Sequence, residues 1–271
     1  LSGRCLGTRI LGAVDDDRPR AFLLSDLHLT RDGGPALDAL RRVLAAARQR
    51  AAETRVVLLG DLFDVYVTAA QLRMPRWDEV VGALRHSVDA GVAVSVLHGN
   101  RDFLLGARFA RASGCRVVAG GLRIRLGGRE VVCLHGDELC LRDLGYQRAK
   151  RLLRSAPVRG LARLLPARLV LGAGRRARAR SAVQVRALDA SRTDVAAAGV
   201  DRAFAATGAS ALVCGHVHRA AHHPAWPGGG ELWILPAFDE GGVHLRHEAG
   251  RFATVDADGR AVPDFPPRPL S

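Results

Sequence analysis

Seven side chains carrying metal-donor atoms stand at the ends of five short apolar runs, and their spacing suits a pair of cations held in one cleft. Ala21–Ser25 leads into Asp26 and His28, Arg55–Gly60 into Asp61, Val92–Gly99 into Asn100, Val131–Leu134 into His135, and Ala211–Gly215 into His216 and His218. Such runs, rich in aliphatic and β-branched residues and bounded by glycine, read as buried strands. Ligands in open α/β sheets collect outside the carboxyl ends of the strands, so the pattern predicts one rim that gathers every donor. Asp26-x-His28 and His216-x-His218 are i, i+2 pairs, which an extended backbone would point to one side, roughly 6–7 Å apart. Asp61 follows Gly60, which permits a sharp turn, and its two oxygens could bridge two cations.

The donor set has four imidazoles, two carboxylates, one amide oxygen and no thiolate. It favours first-row ions such as manganese, iron or zinc over magnesium, whose sites usually lack imidazole. Water held between two such ions loses a proton near neutral pH, its pKa falling from about 15.7 to about 7, and becomes a strong nucleophile. Each motif alone has an ordinary reading as a polar strand end or a turn. Five in this order, each after its own strand-like run, do not serve packing.

The series Asp26-Leu-His28, Gly60-Asp61-Leu-Phe-Asp64, Gly99-Asn100-Arg101-Asp102, His135-Gly-Asp137 and Gly215-His216-Val-His218 resembles the calcineurin-like metallophosphoesterase superfamily. Most of that superfamily has histidine where this chain has Arg101. The stretch His98-Gly-Asn-Arg-Asp-Phe-Leu-Leu-Gly106 with Arg108 and Phe109, and His135-Gly-Asp-Glu-Leu-Cys140 with Asp143, Tyr146 and Gln147, is similar to the UDP-2,3-diacylglucosamine diphosphatases of lipid A synthesis. The likeness runs from Ala21 to Arg219.

The resemblance implies an α/β fold of two packed mixed sheets flanked by helices, with a helical cap insertion. It implies two divalent metal ions, manganese favoured, the first held by Asp26, His28, Asp61 and His218 and the second by Asp61, Asn100, His135 and His216, with Asp61 as the bridge. The implied substrate is a lipid-linked UDP-sugar attacked at the α-phosphorus, giving UMP and 2,3-diacylglucosamine 1-phosphate. Arg101 and Asp61 would be catalytic, with the Arg101 fork on a phosphate oxygen. Asn100, Arg101, Asp143, Ser181 and His216 would contact substrate, and Asp64, Asp102 and Asp137 would orient ligands or adjacent backbone. The asparagine and lysine that the family places four and seven residues after its serine are Val185 and Leu188 here, a departure that bears on substrate identity. His98 reads as a hydrogen-bonded structural histidine, and His222, His223, His244 and His247 fall outside every matched motif.

At 271 residues the chain can bury one large core, so a single catalytic domain with an insertion is expected. The net charge is +13, and residues 144–188 hold twelve arginines or lysines and no acid. Leu152, Leu153, Leu161, Leu164, Leu165, Leu169 and Val170 recur there at helical steps, interrupted by Pro157 and Pro166. The expected organisation is residues 1–143 and 194–262 as catalytic domain, 144–193 as basic amphipathic cap, and 263–271 as a Pro-rich tail. Such a cap could greet a diphosphate and two acyl chains, or rest at the cytoplasmic leaflet of an inner membrane, making the protein cytoplasmic and peripheral. Five cysteines without a Cys-x-x-Cys pair give neither a disulfide framework nor a zinc knuckle, and suit a reducing cytosol. No apolar run is long enough for a membrane span. The first residue is Leu1, so a preceding targeting segment stays open.

Two other readings stay open. A nuclease or cyclic nucleotide phosphodiesterase on the same fold would explain the basic segment, but it would carry histidine at 101, and aromatics for base stacking are only 5% of residues. Nucleic acid is therefore not the expected partner. A metal-free interaction scaffold would have lost ligands, and this chain keeps all seven. Between the runs, Ala36–Arg50 and Trp77–Ala90 have helical patterns, with Pro35 at a first-turn position and Gly91 as a stop. Gly127-Gly128 within 121–132 predicts a β-hairpin, and 231–254 adds strand-like pieces.

Overall fold

The computed structural model describes residues 12–13, 17–30, 32–142 and 193–271, together with isolated positions between 143 and 192. Asp143, Ser181, Val185, Leu188 and the basic helical pattern lie outside the described residues.

Among the described residues, twelve strands form two six-stranded mixed sheets. The first sheet has the order β12 (Arg251–Val255), β11 (His244–Glu248), β2 (Arg20–Leu24), β3 (Thr54–Leu58), β4 (Ala93–Leu97), β5 (Arg116–Val118). The second runs β1 (Gly12–Ala13), β6 (Leu122–Leu126), β7 (Arg129–Cys133), β8 (Ala211–Cys214), β10 (Glu231–Ile234), β9 (Ala221–His223). β2 through β5 are parallel, as are β7, β8 and β10, whereas β2–β11, β11–β12, β6–β7 and β9–β10 are antiparallel.

Alternation along the central strands explains why the sheets stack. Val56 and Leu58 of β3 face α1 (Pro35–Arg48) and α2 (Trp77–Asp89), joining Leu40, Val43, Leu44, Val80 and Leu84. Their neighbours Val57 and Leu59 turn the other way, against Ile124, Val131, Val213 and Trp233 of the second sheet. On the outer face of that sheet, Val132, Leu212 and Ile234 receive Val200 and Phe204 of α4 (Ala197–Thr207). A further short helix, α3 (Ala107–Ser113), precedes β5. The result is helices, sheet, sheet, helix, the α/β class expected. α1 starts at Pro35, and Gly91 just past α2 takes φ 101°, so both glycine and proline punctuate as read. The hairpin at Gly127-Gly128 joins β6 to β7, and the late stretch supplies β10, β11 and β12.

The C-terminal residues contain no helix or strand after 262, in line with their prolines, but they are packed rather than free. Phe265 lies on the inter-sheet core and Leu270 on the α4 core. The Ser271 N–H donates to the Val195 carbonyl at 3.2 Å, and the Ala197 N–H donates to Ser271 O at 3.0 Å. Arg268 grips both oxygens of Asp194 at 2.5 and 2.9 Å and reaches the Arg219 carbonyl at 3.1 Å, while the Arg219 guanidinium lies 2.9 Å from the same Asp194. Asp194 sits where the chain re-enters the catalytic sheets, and Arg219 directly follows His218, so this strap ties those two places together.

Candidate metal centre

All seven donors lie just beyond the carboxyl ends of β2, β3, β4, β7 and β8. The rim is shared between sheets: Asp26, His28, Asp61 and Asn100 come from the first, His135, His216 and His218 from the second. Packing the two sheets face to face therefore builds the cleft.

The route of the backbone differs from the extended one expected for the i, i+2 pairs. Asp26, His28, Asp61, His216 and His218 have φ of 56, 45, 51, 73 and 54°, all left-handed. Asp and His tolerate that region better than most residues, yet each such residue costs about 1–2 kcal/mol. Loop hydrogen bonds enforce it: the Asp26 N–H donates to Gly60 O at 3.3 Å, His28 N–H to Asp61 O at 2.9 Å, and His216 N–H to the Asp26 carboxylate at 2.7 Å. Side chains two apart still share a cleft because both residues turn out of the strand, not because the strand continues.

Two glycines make room for this crossing. A Cβ on Gly60, itself at φ 104°, would stand 2.7 Å from Gly99 N and 2.8 Å from His135 Nδ1. One on Gly215 would stand 1.9 Å from Ser25 Oγ and 2.5 Å from Asp26 Oδ2.

Two groups of donors converge to within 4.8 Å among themselves: Asp26, His28 and His218, and Asp26, His135 and His216. His218 Nε2 is 3.3 Å and His28 Nε2 3.8 Å from Asp26 Oδ1. Asp61 faces both groups, its Oδ2 3.6 Å from His28 Nε2 and its Oδ1 3.8 Å from His135 Nε2. Asp26 is thus common to both groups, a part expected of Asp61 alone. Asn100 Oδ1 is 3.0 Å from His135 Nε2.

Hydrogen bonding tests whether these groups fit cations. Among the described residues, Asp26 Oδ1 and His28 Nε2 are buried without a hydrogen-bond partner, and they stand 3.8 Å apart. The Nδ1 of His135 faces the Leu59 carbonyl at 2.9 Å, which fixes it as the donor, so a neutral His135 presents its Nε2 lone pair to the lone pairs of Asn100 Oδ1. Two acceptors in contact need a cation or a proton between them. The fit is good.

Electrostatics agree. Burial alone would raise the Asp26 carboxyl, but the close His218 imidazole and the charges of His135 and His216 outweigh it and hold it well below the ordinary range. Burial would lower His28, yet its hydrogen bond to Asp239 and the nearby Asp61 carboxylate push it up to about 9. His135 is likewise raised against its burial by Asp61, Asp26, Asp137 and Glu138. Burial and the nearby His135 charge push His216 down to about 4, leaving a neutral imidazole. At His28 and His135 the surrounding acids outcompete desolvation, whereas at His216 they do not.

Arg101 donates its N–H to Asp61 Oδ1 at 2.8 Å, and its side chain pairs with Asp61 at 3.2 Å and Asp64 at 3.1 Å. Its guanidinium therefore stands at the edge of both donor groups. Asp102 is buried and accepts from Gly99 N and Leu62 N at 2.8 Å each, stapling the loop after β4 to the loop after β3. Burial and the Asp61 charge raise that carboxyl to about 7. Asp137 is buried beside the cleft, and His98 bonds the Leu105 carbonyl at 2.7 Å, as a structural histidine should. Asp143 and Ser181, expected to touch substrate, are outside the described residues. Two groups escaped the sequence reading. Ser25 Oγ donates to Asp26 Oδ2 at 2.5 Å, and Asp239 Oδ2 lies 3.1 Å from His28 Nδ1. Asp239 follows Leu235-Pro236-Ala237-Phe238, a stretch with no recognisable donor spacing.

Residues 19–220 match the calcineurin-like phosphoesterase family, and the chain belongs to that family. Its curated relatives include several named UDP-2,3-diacylglucosamine hydrolase. The protein of Pseudomonas putida is 37% identical over 202 residues, covering 74% of this chain and 83% of its own. That of Azotobacter vinelandii is 34% identical over 237 residues, 83% of this chain and 96% of its own, and that of Ralstonia nicotianae is 37% identical over 229 residues, 80% and 83%. The family fold implies divalent metals, consistent with the two donor groups.

Proposed function

We propose that the protein hydrolyses the diphosphate of UDP-2,3-diacylglucosamine, giving UMP and 2,3-diacylglucosamine 1-phosphate. The observation that carries the reading is Arg101 at the edge of a complete seven-donor cleft, in a chain whose relatives bear that hydrolase name. Asp26, His28 and His218, with Asp61, would hold one ion, and His135, His216 and Asn100, with Asp26 and Asp61 facing them, the other. When bound, the ions supply Lewis acidity, which acidifies water and offsets phosphate charge.

The chain's own groups do the rest. Asp26 and Asp61 keep their carboxylates ionised against full burial because the histidines surround them. The planar fork of Arg101 grips two oxygens of the α-phosphate, steadied from behind by Asp64, and counters the charge that grows as water's oxygen bonds to phosphorus and the bridging oxygen leaves with the sugar phosphate. Asn100 and His216 lie where they can also reach a phosphate oxygen. We assign manganese as the working ion on the resemblance to the family; the mixed imidazole and carboxylate donors suit first-row ions in general. The twelve basic residues of 144–188 would dock the protein on the cytoplasmic face of an inner membrane, each worth about 1 kcal/mol at an anionic leaflet.

One assay tests the reading. Manganese-loaded protein is offered UDP-diacylglucosamine, a cyclic nucleotide and single-stranded DNA side by side. UMP release from the first alone is expected, and cleavage of DNA alone would overturn it. Arg101→Ala should reduce turnover by about 10²-fold with both ions still bound.

A further inference from the structure

We propose that Asp239 is a positioning residue for the ion held by Asp26, His28 and His218, an inference that rests on the metal-centre reading above. An imidazole can present a lone pair from one nitrogen only when the other carries the proton. At His28 the choice is made by geometry: Nδ1 faces Asp239 Oδ2 at 3.1 Å, so in the neutral ring that an ion requires, the proton belongs there and Nε2 carries the lone pair. That Nε2 is buried, has no hydrogen-bond partner among the described residues, and looks across at Asp26 Oδ1 and Asp61 Oδ2. A carboxylate behind a ligating histidine fixes its tautomer and ring plane and makes it a stronger donor.

Asp239 is held well enough to do this. It lies in the single turn Phe238–Glu240, whose Phe238 is buried and whose Phe238 N–H donates to the Ser25 carbonyl at 2.9 Å, one residue before Asp26. The turn and the first ligand are thus tied to each other. The adjacent Glu240 does not repeat the arrangement at His218: its oxygen is 3.9 Å from Nδ1, beyond hydrogen-bond reach, and the side chain is largely exposed.

The second donor group is built differently. His135 Nδ1 is held by a backbone carbonyl, Leu59 O, at 2.9 Å, which no side-chain substitution removes. Loss of Asp239 should therefore weaken one ion and spare the other, a split that a general loss of structure would not give.

The test is a calorimetric titration of metal-stripped protein with Mn2+, comparing wild type, Asp239→Asn and Asp239→Ala, without substrate. The wild type should bind two ions. Asp239→Ala should lose about 10–100-fold in affinity for one and keep the other. Asp239→Asn, whose amide oxygen can still accept from Nδ1 without the charge, should fall between, and it decides the matter if the alanine variant fails to fold. Two ions bound with unaltered affinities by Asp239→Asn and Asp239→Ala would overturn the role of Asp239 alone. A wild type that binds no ion pair would overturn the metal-centre reading with it.

Discussion

The metal cleft and the β11–β12 hairpin both hold non-glycine residues in the left-handed region, and they do so for opposite reasons. In the hairpin, Ala249 at φ 51° precedes Gly250 at φ 76°, two positive angles in succession of the kind that let a tight turn match the strand twist. The β6–β7 hairpin meets the same demand with Gly127 and Gly128, so Ala249 is a strained residue that glycine could replace. In the cleft no such exchange is open. The five left-handed residues there are themselves the donors, and the glycines beside them serve close approach. Strain at the hairpin is incidental, whereas strain at the cleft aims side chains.

Gly215→Ala should have the largest effect, because its Cβ would fall within 1.9 Å of Ser25 Oγ and inside the bond from His216 N to Asp26. A loss of about 3 kcal/mol or more in urea unfolding is expected, with weakened Mn2+ binding. Gly250→Ala, with nothing within 4 Å, should cost only the left-handed penalty, about 1–2 kcal/mol. Equal losses at the two positions would erase the distinction between crowding and strain.

Next comes acid stability, which belongs to the hairpin side. His244 of β11 packs against Phe22 and Phe238, and burial pushes it down to about 4 despite its hydrogen bond to Gly242 O. The unfolded chain takes up this proton first as pH falls, so the contribution is complete above pH 6.5 and disappears as pH drops from 6.5 to about 4. The loss should approach roughly 3 kcal/mol for this group. Urea midpoints of metal-stripped wild type and His244→Leu, followed across that window, should diverge, and parallel curves would remove His244 as the cause.

His218→Gly separates strain from function within the cleft. Turnover should fall by about 10²-fold or more, since a donor is gone. The melting temperature of the metal-stripped protein should hold or rise, because φ 54° suits glycine. A marked fall would mean that the left-handed donors are not strained. The smallest effect is expected of Ala249→Gly: relief of the left-handed penalty less the entropy of glycine leaves about 0.5–1 kcal/mol of added stability, read as a rise of about 2 °C in Tm with unchanged turnover.

The strands that end at the cleft were readable because each is a short apolar run: β2 and β3 are buried at every position, so no polar alternation masks them. Gly127-Gly128 announced its hairpin by turn chemistry alone. β9, Ala221–His223, escaped because two of its three residues are histidines, one stacked on Trp233. α4 escaped because Gly199 breaks its pattern, although a Cβ there would meet the Leu139 carbonyl at 2.8 Å and close packing demands glycine. Within the site, donor identity could be read from strand endings, but the left-handed turns could not, since Asp and His occur in every conformation. Asp239 could not be read at all: it meets His28 from 211 residues away, and no local spacing encodes such a pair.

The tail's grip on Asp194 and Arg219 bears on how load would travel through the molecule. Asp194 is among the first described residues after the basic segment, so the chain meets the clasp there before it meets the sheets again. Two guanidinium groups hold the Asp194 carboxylate and the backbone of Ser271 pairs with Val195 and Ala197, so a displacement at Asp194 is shared with the tail and, through Arg219, with the residue after His218. The clasp acts as a tether, so the residue next to the histidine pair and the last residues of the chain keep their places together.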